Sequence, residues 1–171
     1  MSEANFEIVI PTPTDGARLF ELARKIDLFM PEDFDIIEEL WTEFAAKGNQ
    51  ESHYHFIAVR HVRHVRHAEQ GSDLLGFACY GQRPLTKGTF DLYWIGVAQD
   101  QQGRGVGKTL IRAVEQHVRD HHGRLLIAET EGKPSYEPTR RFYLAAGYEL
   151  EARIRDFYCA GNDLLIFTKR L

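Results

Sequence analysis

Three glycines within five residues, Gly103, Gly105 and Gly107, stand between an apolar, aromatic-rich run at residues 90–97 and a helical pattern marked by Leu110, Ile111, Val114 and Val118. A turn of that composition restricts the chain to folds in which a strand feeds directly into a helix. The start of such a helix presents free N–H groups and the positive end of the helix dipole, and glycines let a bulky anion reach the backbone. Arg104, Lys108 and Arg112 flank the turn, so a phosphate site is favoured over a plain connecting loop. Two nucleotide patterns fail on it. Gly107-Lys108-Thr109 ends like a P-loop, but the first glycine of that pattern falls on Gln102. The dinucleotide fingerprint begins at Gly103 and Gly105, yet its third glycine falls on Lys108.

The rest of the chain reads as a mixed α/β pattern. A first strand at residues 6–10 stops at Pro11 and Pro13. Asp15 caps a helix with an apolar stripe of Leu19, Phe20, Leu22 and Ala23; Pro31 interrupts it, and a second helix is expected over residues 32–47, ended by Gly48. Strands at 55–59 and 74–80 form a pair across a long polar connection, and 90–97 is a third, richer strand. The helix after the glycines is closed by Gly123, a strand follows at 124–130, and Pro138 opens a short helix stopped by Gly147. Strands at 148–158 and 164–169 finish the order β-α-α-β-β-β-α-β-α-β-β.

At 171 residues, with 43% hydrophobic and 27% charged side chains, the chain is expected to form one domain over residues 1–171. A net charge of −4 argues against nucleic-acid binding by broad counterion release. Cys79 and Cys159 lie far apart with no CxxC pair, which suits a reducing compartment and gives no metal knuckle. No signal peptide and no apolar run of membrane-spanning length is visible, so a soluble, cytoplasmic protein is expected.

Gln102, Gly105 and Gly107 satisfy a third phosphate pattern, Q/R-x-x-G-x-G/A, without adjustment. This resembles the pyrophosphate loop of the GNAT N-acetyltransferase superfamily. Residues 91–97 (Asp-Leu-Tyr-Trp-Ile-Gly-Val) look like that family's central strand, and Arg141-Phe142-Tyr143 with Ala146-Gly147-Tyr148 resembles its xFYxxxGF/Y helix. The likeness runs along nearly the whole chain and is strongest from 91 to 148. It implies a GNAT-like fold with acetyl-CoA as cosubstrate and no metal. By the same likeness Gln102, Gly103, Arg104, Gly105, Val106, Gly107 and Lys108 cradle the pyrophosphate. The backbone of Ile95, Gly96 and Val97 holds the pantetheine arm and polarises the thioester carbonyl. Many relatives have a CoA-contacting asparagine before the short helix; here the nearest position is Tyr136, in a segment carrying Pro134 and Pro138, which departs from the family pattern.

Amine acetylation needs a base, because a free amine with a pKa of ~10.4 is mostly protonated at neutral pH. Resemblance to ribosomal-protein acetyltransferases points to Glu129, with Glu131 in reserve; either could equally be a plain binding or capping carboxylate. Tyr143 matches the family's proton donor to the CoA sulfur, against the alternative of a core aromatic. Arg140 and Arg141 could face phosphate or solvent. Cys79, in an apolar strand, reads as packing. The acidic set Asp27, Glu32, Asp33, Asp35, Glu38 and Glu39 would favour a cationic acceptor, or is simply a solvated face. The triplet repeat of Arg and His at 60–67 reads as a solvated hairpin tip rather than a metal or nucleic-acid tract. The expected activity is acetyl transfer to a primary amine of a small molecule or peptide. A protein N-terminal acetyltransferase, a non-catalytic CoA-binding module and a nucleotide hydrolase using Lys108-Thr109 remain alternatives. The final hairpin offers an edge through which a homodimer could form.

Overall fold

The computed structural model describes residues 6–62 and 74–171, without the side chains of Asn49 and Gln50. Asp15, expected to cap the helix that follows it, makes no side-chain cap bond to that helix and instead accepts the Thr12 N–H at 2.8 Å, closing the 3-10 turn before it. The elements are β1 (Phe6–Val9), α1 (Gly16–Arg24), α2 (Pro31–Glu51), β2 (His55–His61), β3 (Leu74–Gln82), β4 (Thr89–Val97), α3 (Val106–Asp120), β5 (Leu125–Glu131), α4 (Glu137–Ala145), β6 (Glu149–Cys159) and β7 (Asn162–Arg170). This is the expected order. Short 3-10 turns at Pro13–Asp15, Gln99–Gln101 and Pro134–Tyr136 were not foreseen. The strands form one mixed sheet in the order β1-β2-β3-β4-β5-β7-β6. β4 and β5 run parallel, whereas β1–β2, β5–β7 and β6–β7 are antiparallel. The segment 63–67 of the Arg/His repeat lies outside the described residues.

The chain divides into two compact units. One runs up to Cys79 and takes in Trp94–Val114; the other comprises Tyr80–Tyr93 and Glu115–Leu171. In the first, the apolar stripes of α1 and α2 meet β2 and β3. Trp41, Phe44 and Phe56 form an aromatic triangle with ring centroids 5.2 Å apart, and Leu19, Ile37 and Phe77 are fully buried around it. The start of α2 is capped by Asp33, whose carboxylate accepts the Met30 N–H at 2.7 Å. Gly48 ends its regular part with φ +71°, the left-handed conformation that glycine adopts without steric cost.

Two strand glycines in this unit position everything that follows. A Cβ on Gly76 would stand 2.8 Å from the Gly96 carbonyl oxygen, 3.0 Å from Leu110 Cδ1 and 3.1 Å from Val106 Cγ1. The first turns of α3 therefore rest directly on the β3 backbone. A Cβ on Gly96 would run into Ile26 and crowd Phe29 at 3.1 Å, so the α1–α2 connection rests on β4 in the same way.

In the second unit β5 is buried at Leu126 and Ala128, which pair with Lys169 and Phe167 of β7. Both helix ends here are Schellman turns. After α4, Tyr148 N–H reaches the Tyr143 carbonyl at 3.0 Å and Gly147 N–H reaches Leu144 at 3.0 Å, with Gly147 at φ +84°. After α3, Gly123 N–H reaches Val118 at 2.7 Å and His122 N–H reaches Arg119 at 3.0 Å. Here the left-handed residue is His122, at φ +59°, not the glycine expected to close the helix. Gly123 is needed one step later for space, because a Cβ there would strike Val118 and lie 3.0 Å from Phe90.

The Gly76 contacts give a first expectation. Gly76→Ala should lower stability by about 1–3 kcal/mol, the usual cost of overpacking, read as a reduced urea midpoint with an unchanged slope.

Candidate active site

The glycine turn is built from the exit of β4. Ala98 N–H donates to the Leu75 carbonyl at 2.9 Å, Gln101 N–H returns to Ala98 at 2.9 Å, and Gln102 N–H to Gln99 at 3.3 Å. Gln102 is extended (φ −64°, ψ 154°). Gly103 and Gly105 then take φ +73° and +91°, and a Cβ on either would have no atom within 4 Å. Glycine is required at both for backbone conformation, and the space beside them is open. Val106, 1% exposed, anchors the start of α3. Thr109 closes the first turn by donating both its N–H (2.9 Å) and its hydroxyl (3.1 Å) to the Gly105 carbonyl.

The N–H groups of Val106, Gly107 and Lys108 open the helix, where no intrahelical acceptor exists for them. Arg104, Lys108 and Arg112 follow one another at four-residue intervals, all exposed. None of the three appears in an ion pair among the described residues, whereas Arg18, Lys25, Lys47 and Arg60 of the same unit are all paired. Ile95 and Val97 are half-buried and Gly96 is buried. Residues 95–97 and 102–108 thus form one continuous strand exit, turn and helix start. Open glycine backbone, helix amides and three unpaired cations fit a pyrophosphate group.

In the second unit the three candidate residues differ sharply in environment. Glu129 is exposed on β5, and its Oε1 accepts from Arg83 Nη2 at 3.5 Å. Glu131 is already occupied. Its Oε2 accepts from Asn162 Nδ2 at 2.6 Å and Lys133 Nζ at 2.8 Å, and the Tyr136 hydroxyl also bonds it. Burial works to raise the Glu131 carboxyl, but these hydrogen bonds and the Lys133 charge prevail and hold it below the ordinary glutamate range. Such a carboxylate is a poor base. Arg140 is 15% exposed at its side chain, and its guanidinium is engaged within the chain. It donates to the carbonyls of Glu131 (2.8 Å) and Lys133 (2.9 Å) and to Glu137, so it straps the β5–α4 connection.

Tyr143 is buried against Phe142, Tyr148 and Phe167, with centroids 5.5, 5.5 and 5.6 Å away. Burial pushes its phenol well above the ordinary value. The motif around it therefore serves the Schellman turn and its ring contact as well as any chemistry. Beneath α4, Lys169 Nζ donates to Glu115 Oε1 at 2.8 Å and to the Ala146 carbonyl at 2.7 Å, fastening the helix end to β7.

The acidic run is divided among tasks. Asp33 caps α2, and Asp27 accepts from Gln99 Nε2 at 2.7 Å, tying the α1–α2 connection to the turn after β4. Asp35, Glu38, Glu39 and Glu43 line a groove of about 550 Å³ with Tyr54. Burial pushes the Cys79 thiol well up, which leaves it without thiolate character. Among the described residues no group of three or more His, Cys, Asp or Glu side chains could hold a metal ion, and no helix is long and apolar enough to cross a membrane. The Arg83, Asn162 and Gln99 contacts were missed in the sequence. Each joins residues 31 to 72 positions apart, and no local pattern signals such pairs.

Residues 33–148 match the Acetyltransferase (GNAT) family. The fold is shared with a crystal structure ascribed to the GNAT acetyltransferases from Desulfovibrio desulfuricans, at 38% identity and TM-score 0.84, covering 96% of this chain and 97% of that one. A ribosomal-protein-alanine N-acetyltransferase from Brucella melitensis is similar at 20% identity and TM-score 0.70, covering 96% and 99%. An aminoglycoside 6′-N-acetyltransferase solved with coenzyme A is similar at 17% identity and TM-score 0.69, covering 96% of each chain. The last two show likeness of fold alone. No curated protein matches the chain.

The hold on Glu131 predicts a pH dependence. Its folded pKa lies below the ordinary value of 4.5, so its contribution to stability is complete above that pH and disappears as pH falls through the folded value. In urea titrations the stability difference between the wild type and Glu131→Gln should shrink progressively on acidification below about pH 4.5.

Proposed function

We propose that this chain, which belongs to the acetyltransferase (GNAT) family, transfers an acetyl group from acetyl-CoA to a primary amine of a small molecule or peptide, by direct attack with both substrates bound. The observation that carries the reading is the turn at 102–108, with open glycine backbone at φ +73° and +91° and unpaired cations at the start of α3. Acetyl-CoA supplies the acetyl group as an activated thioester. Gln102, Gly103, Arg104, Gly105, Val106, Gly107 and Lys108 hold its pyrophosphate through backbone N–H groups and charge. The backbone of Ile95, Gly96 and Val97 aligns the pantetheine arm and donates to the thioester carbonyl oxygen.

Glu129 takes the proton of the acceptor ammonium, directly or through water. Its exposure and single long contact to Arg83 favour it over the fully engaged Glu131. Tyr143 keeps its proton at every ordinary pH because burial raises its phenol. It is a weaker acid than free tyrosine, so it steadies the leaving sulfur by hydrogen-bond donation. Tyr136 contacts CoA through its ring, its hydroxyl being engaged by Glu131. The carboxylates of Asp35, Glu38 and Glu39 favour a cationic acceptor. A peptide or protein N-terminus is the second reading, favoured by the likeness to the ribosomal-protein-alanine enzyme and by the β6–β7 hairpin. The setting is cytoplasmic, and the exposed β6 edge, with Leu150, Ile154 and Phe157 on it, is the surface for a homodimer.

Thermal shift with acetyl-CoA, magnesium-ATP and NAD tests the donor. Acetyl-CoA at a hundred times its Kd should stabilise by about 2.7 kcal/mol, with no shift from the other two. No shift from acetyl-CoA, or one from ATP alone, would remove this reading. A mass-spectrometric panel of amines and peptides then identifies an acceptor. On that acceptor Glu129→Gln should lower kcat by ~10²–10⁴ while the acetyl-CoA shift persists.

A further inference from the structure

Glu129 does not stand alone on its face of the sheet. Asp91 pairs with Ile127 in the parallel β4–β5 register. Paired residues share a face, and so do residues two apart along a strand, so Asp91, Ile127 and Glu129 all point the same way. Two carboxylates on one face raise each other's proton affinity unless a cation intervenes. Arg83, from the β3–β4 connection, is that cation. Its Nε donates to Asp91 Oδ2 at 2.9 Å, and its Nη2 reaches Glu129 Oε1 at 3.5 Å.

The two contacts are unequal, and the difference matters. Asp91 is 8% exposed, and its short bond fixes one edge of the planar guanidinium. Arg83 N–H also donates to the Thr89 carbonyl at 2.8 Å, and Thr86 closes the loop by donating to the Arg83 carbonyl at 2.7 Å. The base of the side chain is therefore anchored at backbone and at Nε. The outer nitrogen lies at the limit of hydrogen bonding from Glu129, whose side chain is 45% exposed. A carboxylate held this way is oriented through one oxygen, and its second oxygen stays open to an incoming ammonium or water.

We infer that Arg83, clamped by Asp91, is a positioning residue for Glu129, setting the orientation of that carboxylate through their ion pair. The inference rests on the role proposed above for Glu129. Neither its β7 partner nor the next carboxylate on β5 supplies that positive charge. Its β7 partner in register is the apolar Ile166, and the carboxylate of Glu131 on the same strand is held by Lys133, Asn162 and Tyr136. Removing the guanidinium would remove the ion pair that the Glu129 carboxylate makes among the described residues.

The test is a pH titration of Glu129 in the full-length protein by ¹³C NMR with glutamate-selective labelling, its signal assigned by loss in Glu129→Gln. In Arg83→Gln the midpoint should rise by about half a pH unit, the shift expected for an exposed ion pair. Arg83→Lys should return it toward the wild type. In the unsubstituted protein, salt at about 1 M, where the screening length is ~3 Å, should move the midpoint the same way, so the test survives a variant that fails to fold. A Glu129 midpoint unmoved by Arg83→Gln overturns the inference, as does a midpoint indifferent to salt if that variant does not fold. Acetyl transfer by Glu129→Gln reports separately on the base. Full activity there would remove Glu129 from the chemistry while leaving the ion-pair result to stand on the titration.

Discussion

The close approach of α3 to β3 through Gly76 is the contact on which the glycine turn and the start of α3 depend. With no side chain at that position, Val106 and Leu110 reach the strand backbone, and the first turn of α3 is set directly against the β3–β4 pair. Because Val106 is buried there, the residues just before it must turn outward. The turn can do so only with left-handed backbone at Gly103 and Gly105. Packing in the strand and exposure in the loop are consequences of one another. The helix amides and the cations Arg104, Lys108 and Arg112 are presented because the apolar side of the same helix is fully engaged.

Hydrogen bonding, rather than proximity in sequence, separates the carboxylates of the second unit. Glu115 is buried and bound by Lys169, which also holds the α4 end through the Ala146 carbonyl. Glu131 is saturated by Asn162, Lys133 and Tyr136. Glu129 has one long contact among the described residues. A carboxylate that already accepts two or three strong hydrogen bonds has little affinity left for a proton, and Glu131 is held below the ordinary glutamate range for that reason. The motif around Tyr143 shows a related economy. Its glycine allows the left-handed turn that ends α4, and Tyr148 packs on the Tyr143 ring across that turn.

The order of elements was legible in the sequence because it rests on local physics: apolar periodicity, prolines at helix starts and glycines at helix ends. Where local reasoning slipped, the cause was also physical. At the end of α3 the left-handed position went to His122, since Gly123 was required where Val118 and Phe90 leave no room for a Cβ. The 3-10 turn before α4 and the strap from Arg140 to the Glu131 and Lys133 carbonyls had no periodic signature.

From the sequence alone came the glycine turn between β4 and α3, because its requirement is for backbone conformation and charge within eight consecutive residues. The tyrosine helix was legible for the same reason. The tertiary structure decided which glutamate is open and which is engaged, that Arg140 is a strap, and that Arg83 bridges Asp91 and Glu129. Those outcomes depend on strand register and on loops that bring together residues tens of positions apart. A carboxylate's proton affinity is set by the donors that surround it in space, and those donors are chosen by the fold.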